Sequence, residues 1–288
     1  MKDLFRKIQQ YEIKIRKAVR SQMTGEMRSP FKGSGLEFDD VRVYQYGDDV
    51  RSIDWNVSAR TDDTYIKTFK EEKDQAVFFI VDVSGSQNIG NKNSKLSIVK
   101  EITSVLALSA VRQNSQVGLL CYSDAREKYI KPNKGEKHAT FLIKELYKLQ
   151  PQSTKTDLDK ALRDAMGIIK KTGIVFLVSD FIDTNYNKHL RALAKKHDTL
   201  VIKITDDHDT KIPGVGIIPI KHVETGKTVW GNTSFGRLKK MLRQNRNDDL
   251  PELCKRIKAD YVEINTNEEY TSVLTQLFLK RNKSWKGA

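Results

Sequence analysis

The run AVFFIVDVSGS, residues 76–86, decides how this chain is read. Ala76 to Val81 are uninterrupted apolar residues dominated by Val, Phe and Ile. Such a run is short for a helix and rich in β-formers, so it reads as a strand covered on both faces. It ends abruptly in oxygen-bearing side chains, Asp82, Ser84 and Ser86, with Gly85 between the serines.

The same texture returns in QVGLLCYS (116–123), GIVFLVS (173–179), TLVIKI (199–204) and DYVEI (260–264), with a short strand partner near Lys128 to Lys131. Stretches with helical spacing near 94–113, 136–148, 157–171 and 186–196 separate them. Strands alternating with helices predict an α/β domain over residues 76–288: a doubly wound, mainly parallel sheet of about six strands flanked by helices. After Ile204 the rhythm loosens. IIPIKH and KTVW around the turn ETGK predict a hairpin insertion near 205–232. A basic helix is expected from about Ser234 to Lys258, and a closing helix near 268–281.

Residues 1–75 read as an N-terminal extension. Leu4, Ile8, Tyr11, Ile15 and Val19 recur at helical spacing, with Lys7, Lys14, Lys17 and Arg20 on the other sides. This amphipathic helix either packs on the domain or lies on a membrane surface. A loop rich in Ser, Gly, Pro and Lys follows. Alternation at Val41, Val43 and at Tyr65, Lys67, Phe69 predicts strands, with a turn at Gly47 to Asp49.

Composition narrows the classes. No apolar run approaches the ~20 residues of a membrane span. The start, MKDLFRKIQQ, lacks the features of a secretory leader, so the cytoplasm is the expected location. Cys121 and Cys254 are far apart and outside any CxxC pair, and read as free thiols. The five histidines are scattered, which argues against zinc. The charge of +14 points to an anionic partner, either an acidic protein or, peripherally, an anionic membrane surface; a solvated basic face is the alternative. No nucleic-acid motif accompanies the charge, so no specific nucleic-acid reading is expected. No GxxxxGK[ST] and no GxSxG occurs, which removes P-loop ATPases and serine hydrolases.

Ligands of open α/β sheets bind beyond the carboxyl ends of the strands. Asp82, Ser84 and Ser86 stand at such an end. Thr156 opens the helix TDLDKAL, and Asp180 ends the strand IVFLVSD. These five oxygen donors suit a hard divalent cation, magnesium first, with manganese or calcium as alternatives. Each donor also has a local role open to it. Ser84, Ser86 and Thr156 are helix-cap residues by type, and Asp180 is a turn residue.

The pattern resembles the metal-ion-dependent adhesion site of von Willebrand factor type A domains, Asp-x-Ser-x-Ser with a later Thr and Asp. The string GSGLEFDDVRVYQYGDDVRSIDWNVSARTDDTYIKTFKEEKD (33–74), followed by DVSGS, TDL and VSDF, resembles the bacterial family called domain of unknown function 58. Gln87 and Lys155 depart from the family's usual Met and Gly. A Lys155 ammonium near the site would weaken a cation there. The resemblance implies a non-enzymatic interaction module that grips an Asp or Glu of a partner protein through the cation. It also implies a MoxR-type AAA+ ATPase as neighbour. Asp39, Asp40, Arg42, Asp48, Asp49, Arg51, Asp54, Trp55 and Arg60 form either a partner-contact surface or an ion-pair network that fixes the extension, with Trp55 as a packing anchor. Two other readings stay open: a phosphohydrolase of haloacid dehalogenase type, with Asp180 and Asp183 as its late acidic pair, and a basic nucleic-acid binder.

Overall fold

The apolar runs become the strands of one sheet, and the stretches between them become its helices. The computed structural model describes residues 2–23, 36–61, 63–71, 76–88, 94–183, 185–206, 217–221, 228–232 and 249–286. In chain order these hold α1 (Lys2–Met23), β1 (Leu36–Val43), α2 (Trp55–Ser58), β2 (Tyr65–Glu71), β3 (Ala76–Asp82), α3 (Lys95–Val111), β4 (Gln116–Tyr122) and β5 (Arg126–Asn133). They continue with α4 (Glu136–Lys148), α5 (Leu158–Ile168), β6 (Ile174–Ser179), α6 (Asn187–Lys196), β7 (Asp198–Thr205), β8 (Ile217–Lys221) and β9 (Thr228–Asn232). The last are α7 (Leu250–Ile257), β10 (Asp260–Asn265) and α8 (Tyr270–Lys286).

Six strands form the central sheet in the order β10-β7-β6-β3-β4-β5. All neighbours run parallel except β4 and β5. This is the doubly wound, mainly parallel sheet expected. The chain enters it at β3, builds outward through β4 and β5, then returns to the other side of β3 with β6. The order therefore reverses between β3 and β6, which makes their carboxyl ends the switch point where α/β sheets bind ligands.

Side chains alternate across β3. Val77, Phe79 and Val81 join the core with α3 and α4, while Phe78 and Ile80 face α5 and α6. Phe79 stacks on Phe176 of β6 with ring centres 5.0 Å apart. In α3 every residue except Ser97 and Lys100 is buried, because α1 and α4 cover the side away from the sheet.

Helix α1 packs on this body. Ile8 and Ile15 are fully buried, and Leu4, Phe5 and Tyr11 rest against the same core. Lys7 pairs with the buried Glu101 at 3.0 Å, Lys14 with Glu269 at 2.9 Å, and the fully buried Glu12 with Arg112. The apolar face that a membrane surface would need is thus turned onto α3 and α8. The side chain of Val19 lies outside the described residues. Two compact units result: residues 1–24 with 75–288, and residues 25–74. The boundary expected from sequence at residue 75 keeps the helix with the segment that follows it, whereas here the helix groups with the sheet body, on which its apolar stripe packs.

In the second unit β1 and β2 pair antiparallel, with Val43 opposite Tyr65. Arg42 holds Asp48 through two bonds of 2.9 and 2.7 Å across a turn in which Gly47 has φ +104°. Asp54 caps α2, accepting from the amides of Asn56 and Val57, and lies 3.8 Å from Lys67. These described ion pairs are internal to the unit.

The expected hairpin is present as β8 and β9, a separate two-stranded sheet. Of the basic helix expected from about Ser234 to Lys258, only the last part falls on described residues. Residues 233–248 lie outside the described part, and α7 starts only at Leu250, after Asp249. Pro251 sits in its first turn, where a missing N–H costs nothing; in a longer helix it would break the ladder. Among the described residues no helix is long and apolar enough to cross a membrane.

Candidate metal centre

Strand register brings the first two donors together. Val81 of β3 lies beside Val178 of β6, so Asp82 and Asp180 emerge from adjacent strand ends. Both are nearly sealed from solvent, at 4% and 3% exposure. Asp82 Oδ1 accepts from the Ser84 amide at 2.9 Å, and Oδ2 accepts from the Ser179 hydroxyl at 2.7 Å. Ser179 Oγ in turn accepts from the Phe181 amide at 3.0 Å. Phe181 holds a left-handed φ of +55°, a conformation that L side chains adopt only when their surroundings enforce it; here its ring is buried against Tyr186. Asp180 stands just before that turn, its Oδ1 accepting from the Ile182 amide at 3.4 Å.

Burial, and then the nearby Asp180 carboxylate, push the Asp82 carboxyl up to about 6, against the pull of the Ser84 and Ser179 hydrogen bonds. The folded chain therefore binds this proton more tightly than the unfolded chain, in which the value is 3.8. Stability from this group is complete below the unfolded value and is lost as pH rises through the folded one. In EDTA, the urea midpoint is expected to rise as pH falls from about 7.5 to about 5.5, and Asp82→Asn to remove that rise. Parallel pH profiles for the parent and the variant would contradict the assignment.

Gly85 draws the third donor in. Its amide donates to Thr154 O at 3.0 Å, and a Cβ at this position would stand 2.8 Å from Thr154 Cβ. Only a glycine permits that approach of the 153–156 loop. Thr156 then lines one small cavity with Asp82, Tyr122 and Ser123. Thr156 does not cap α5. Asp157 does, accepting from the Lys160 amide at 2.8 Å, while Asp183 takes the Leu158 amide at 2.6 Å. Ser84 and Ser86 do not cap α3 either; Ser94 does. Ser84 is fully buried beside Asp82, and Ser86 sits on the 3-10 turn Gly85–Asn88, its side chain outside the described residues.

Sequence reasoning missed two residues here. One is Ser179, the donor to Asp82. The other is Lys95, whose fully buried Nζ lies 3.3 Å from Asp180 Oδ2. A lysine in the first turn of a helix opposes the helix dipole, and that was the available signal. Lys155, the lysine singled out from sequence, is exposed.

The donor set fits a hard cation. Among the described residues no cluster of three His, Cys, Asp or Glu exists, so a softer, all-protein zinc cage is not built here. Instead two buried carboxylates stand with the hydroxyl-bearing Ser84 and Thr156, the oxygen chemistry that magnesium takes. Lys95 pairs with one of the two, Asp180, at 3.3 Å. On the turn that carries Ser84, neither amide atom of the buried Gln87 has a hydrogen-bond partner among the described residues, and the buried Tyr122 hydroxyl also lacks one. Such orphaned groups are costly unless something polar meets them.

The remaining sequence candidates, Asp48, Asp49, Arg51, Asp54, Trp55 and Arg60, belong to the unit of residues 25–74. Asp48 and Asp54 have the structural partners given above, and Asp49 accepts from the Arg51 amide at 3.0 Å. Arg51 and Arg60 are exposed. Trp55 is corrected as a packing anchor: it exposes 70% of its surface, because the first residue of the one-turn α2 faces outward.

Known proteins resemble this chain in sequence and in fold. The chain is 25% identical over 223 residues to "Uncharacterized protein Rv1480" of Mycobacterium tuberculosis, covering 75% of this chain and 69% of that protein. It is 29% identical over 79 residues to "Uncharacterized protein MAV169" of Mycobacterium avium, covering 27% of this chain and 47% of that protein. Among solved structures, BatB from Bacteroides thetaiotaomicron aligns with a TM-score of 0.47 at 15% identity, over 73% of this chain and 99% of BatB. The VWA domain of SpRpn10 aligns with a TM-score of 0.38 at 12% identity, over 70% of this chain and 93% of that domain. The family model described as "Protein of unknown function DUF58" matches residues 40–249, and the chain belongs to that family.

Proposed function

We propose that this protein is a non-enzymatic interaction module that binds an Asp or Glu of a partner protein through a divalent cation, magnesium first, at the switch point between β3 and β6. The observation that carries this reading is the pair of buried carboxylates, Asp82 and Asp180, at adjacent strand ends, with the hydroxyl-bearing Ser84 and Thr156 beside Asp82. Ser84, Ser86 and Thr156 are the neutral oxygens that would hold the ion, with the two aspartates behind them. When bound, the ion supplies positive charge at a rim whose own direct donors are neutral. Asp82 and Asp180 orient the set, and Gly85 keeps the Thr156 loop close. Basic residues elsewhere on the chain speed encounter with an acidic surface, a contribution that salt weakens.

Two features favour binding over hydrolysis. Both oxygens of Asp82 already accept hydrogen bonds, and the position two residues on, where a phosphotransferase of haloacid dehalogenase type needs its acid, is Ser84. The first partner to test is a MoxR-type AAA+ ATPase or a protein it remodels, on the strength of the resemblance.

The test is retention of partners on the immobilised protein, with and without EDTA. Ser84→Ala combined with Ser86→Ala is expected to leave the fold intact and lose the partner. EDTA should reproduce that loss, and excess magnesium should reverse EDTA. A partner held equally well by the double variant would move the binding surface to residues 37–60, where Val50 and Trp55 are 62% and 70% exposed.

A further inference from the structure

Lys95 is the first residue of α3, a helix whose start is fixed by Ser94 and whose body is locked into the core by Ile98, Val99 and Ile102. Its Cα therefore cannot drift as a surface lysine's does. Its side chain is fully buried, and its ammonium lies 3.3 Å from a carboxylate that is 2% exposed. An ammonium taken out of water is costly unless it is closely paired, and a helix N-terminus adds to the cost. A lysine kept here despite both penalties is held by the negative charge of the rim.

Both oxygens of Asp180 are engaged: Oδ2 by Lys95, and Oδ1 by the Ile182 amide at 3.4 Å. A divalent cation arriving at the rim meets a positive charge already seated on one of its two carboxylates, and like charges oppose each other more in a poorly solvated site than in water.

We infer that Lys95 is the resident cation of this rim: its ammonium balances Asp180 in place of part of a divalent ion's charge, and it sets the rim's affinity for that ion low. The inference rests on the cation reading above and deepens it. Cation occupancy becomes a competition with Lys95, so partner binding through the ion depends on ion concentration instead of on a permanently loaded metal.

The experiment uses the full chain and manganese as the probe. Binding is followed by loss of the electron paramagnetic resonance signal of free Mn2+, and thermal unfolding is measured in EDTA and in excess Mn2+. Lys95→Met is expected to bind Mn2+ about tenfold or more tightly than the parent, because the opposing charge is gone. The variant should be less stable than the parent in EDTA and should recover in Mn2+. If Lys95→Met does not fold in EDTA, Lys95→Gln, whose amide can still donate to Asp180, decides by the same criterion. If the parent binds Mn2+ and the neutral variant binds it no more tightly, the inference fails while the cation reading stands. If neither protein binds Mn2+, the cation reading fails and the competition with it.

Discussion

Asp180→Ala is expected to lower folding stability by about 3–5 kcal/mol, the range found when one partner of a buried ion pair is removed. The substitution takes away the carboxylate 3.3 Å from a fully buried ammonium. Ser179 and Phe181 would still hold the turn, so the loss comes from charge and not from unravelled backbone. One effect works the other way: Asp82 is relieved of a neighbouring negative charge. That relief is the smaller quantity, because burial is the first cause of the Asp82 shift and Asp180 the second. Urea denaturation at neutral pH in EDTA measures the sum. Asp180→Asn, which keeps an acceptor, should lose less. Combining Lys95→Met with Asp180→Asn should lose less than the two single losses added, since neither partner then leaves a charge behind. A change within about 0.5 kcal/mol for Asp180→Ala would show that the pair does not hold the rim together.

Phe176→Ala is expected to cost about 3–5 kcal/mol, the usual range for emptying a large aromatic site in a core. Phe176 is fully buried in β6, between β3 and β7, and its ring lies 14° from parallel with that of Phe79. The two strands that carry Asp82 and Asp180 thus share this contact. The stacked pair itself contributes about 0.5–1.5 kcal/mol beyond buried area. Phe141 provides the control within the same chain. It is 50% exposed on α4, and Phe141→Ala should cost far less than the core substitution. Equal urea midpoints for the two alanine variants would mean that the β3–β6 contact is not where the sheet's stability resides.

The sheet was legible from sequence because its strands are written locally. Runs such as AVFFIVD and IVFLVS are apolar at consecutive positions, short for a helix and rich in β-formers, which marks a strand buried on both faces. The oxygens at their ends were equally legible, since Asp82, Ser84 and Asp180 mark the places where apolar texture stops; Thr156 marks the start of a helix. Free, buried Cys121 and Cys254 follow from the same patterns. Which residue caps α5 was not legible, because Thr156 and Asp157 are both cap residues by type and spacing alone does not choose between neighbours.

Topology decided the rest. Lys95 and Asp180 are 85 residues apart, and Ser179 and Asp82 are 97 apart. Nothing along the chain pairs them until β6 returns to lie beside β3. Helix α1 likewise carries a readable apolar stripe, but only the sides of α3 and α8 that face away from the sheet, with Glu101 and Arg112 as partners for its Lys7 and Glu12, determine what that stripe covers. The sequence by itself determined the strands, their order of appearance and the oxygen-rich strand ends, because these depend on each residue's own burial and its neighbours in the chain. Only the tertiary structure decided which charges meet at the rim, because a buried charge takes its partner from whatever the fold brings within a few ångströms, however distant in sequence.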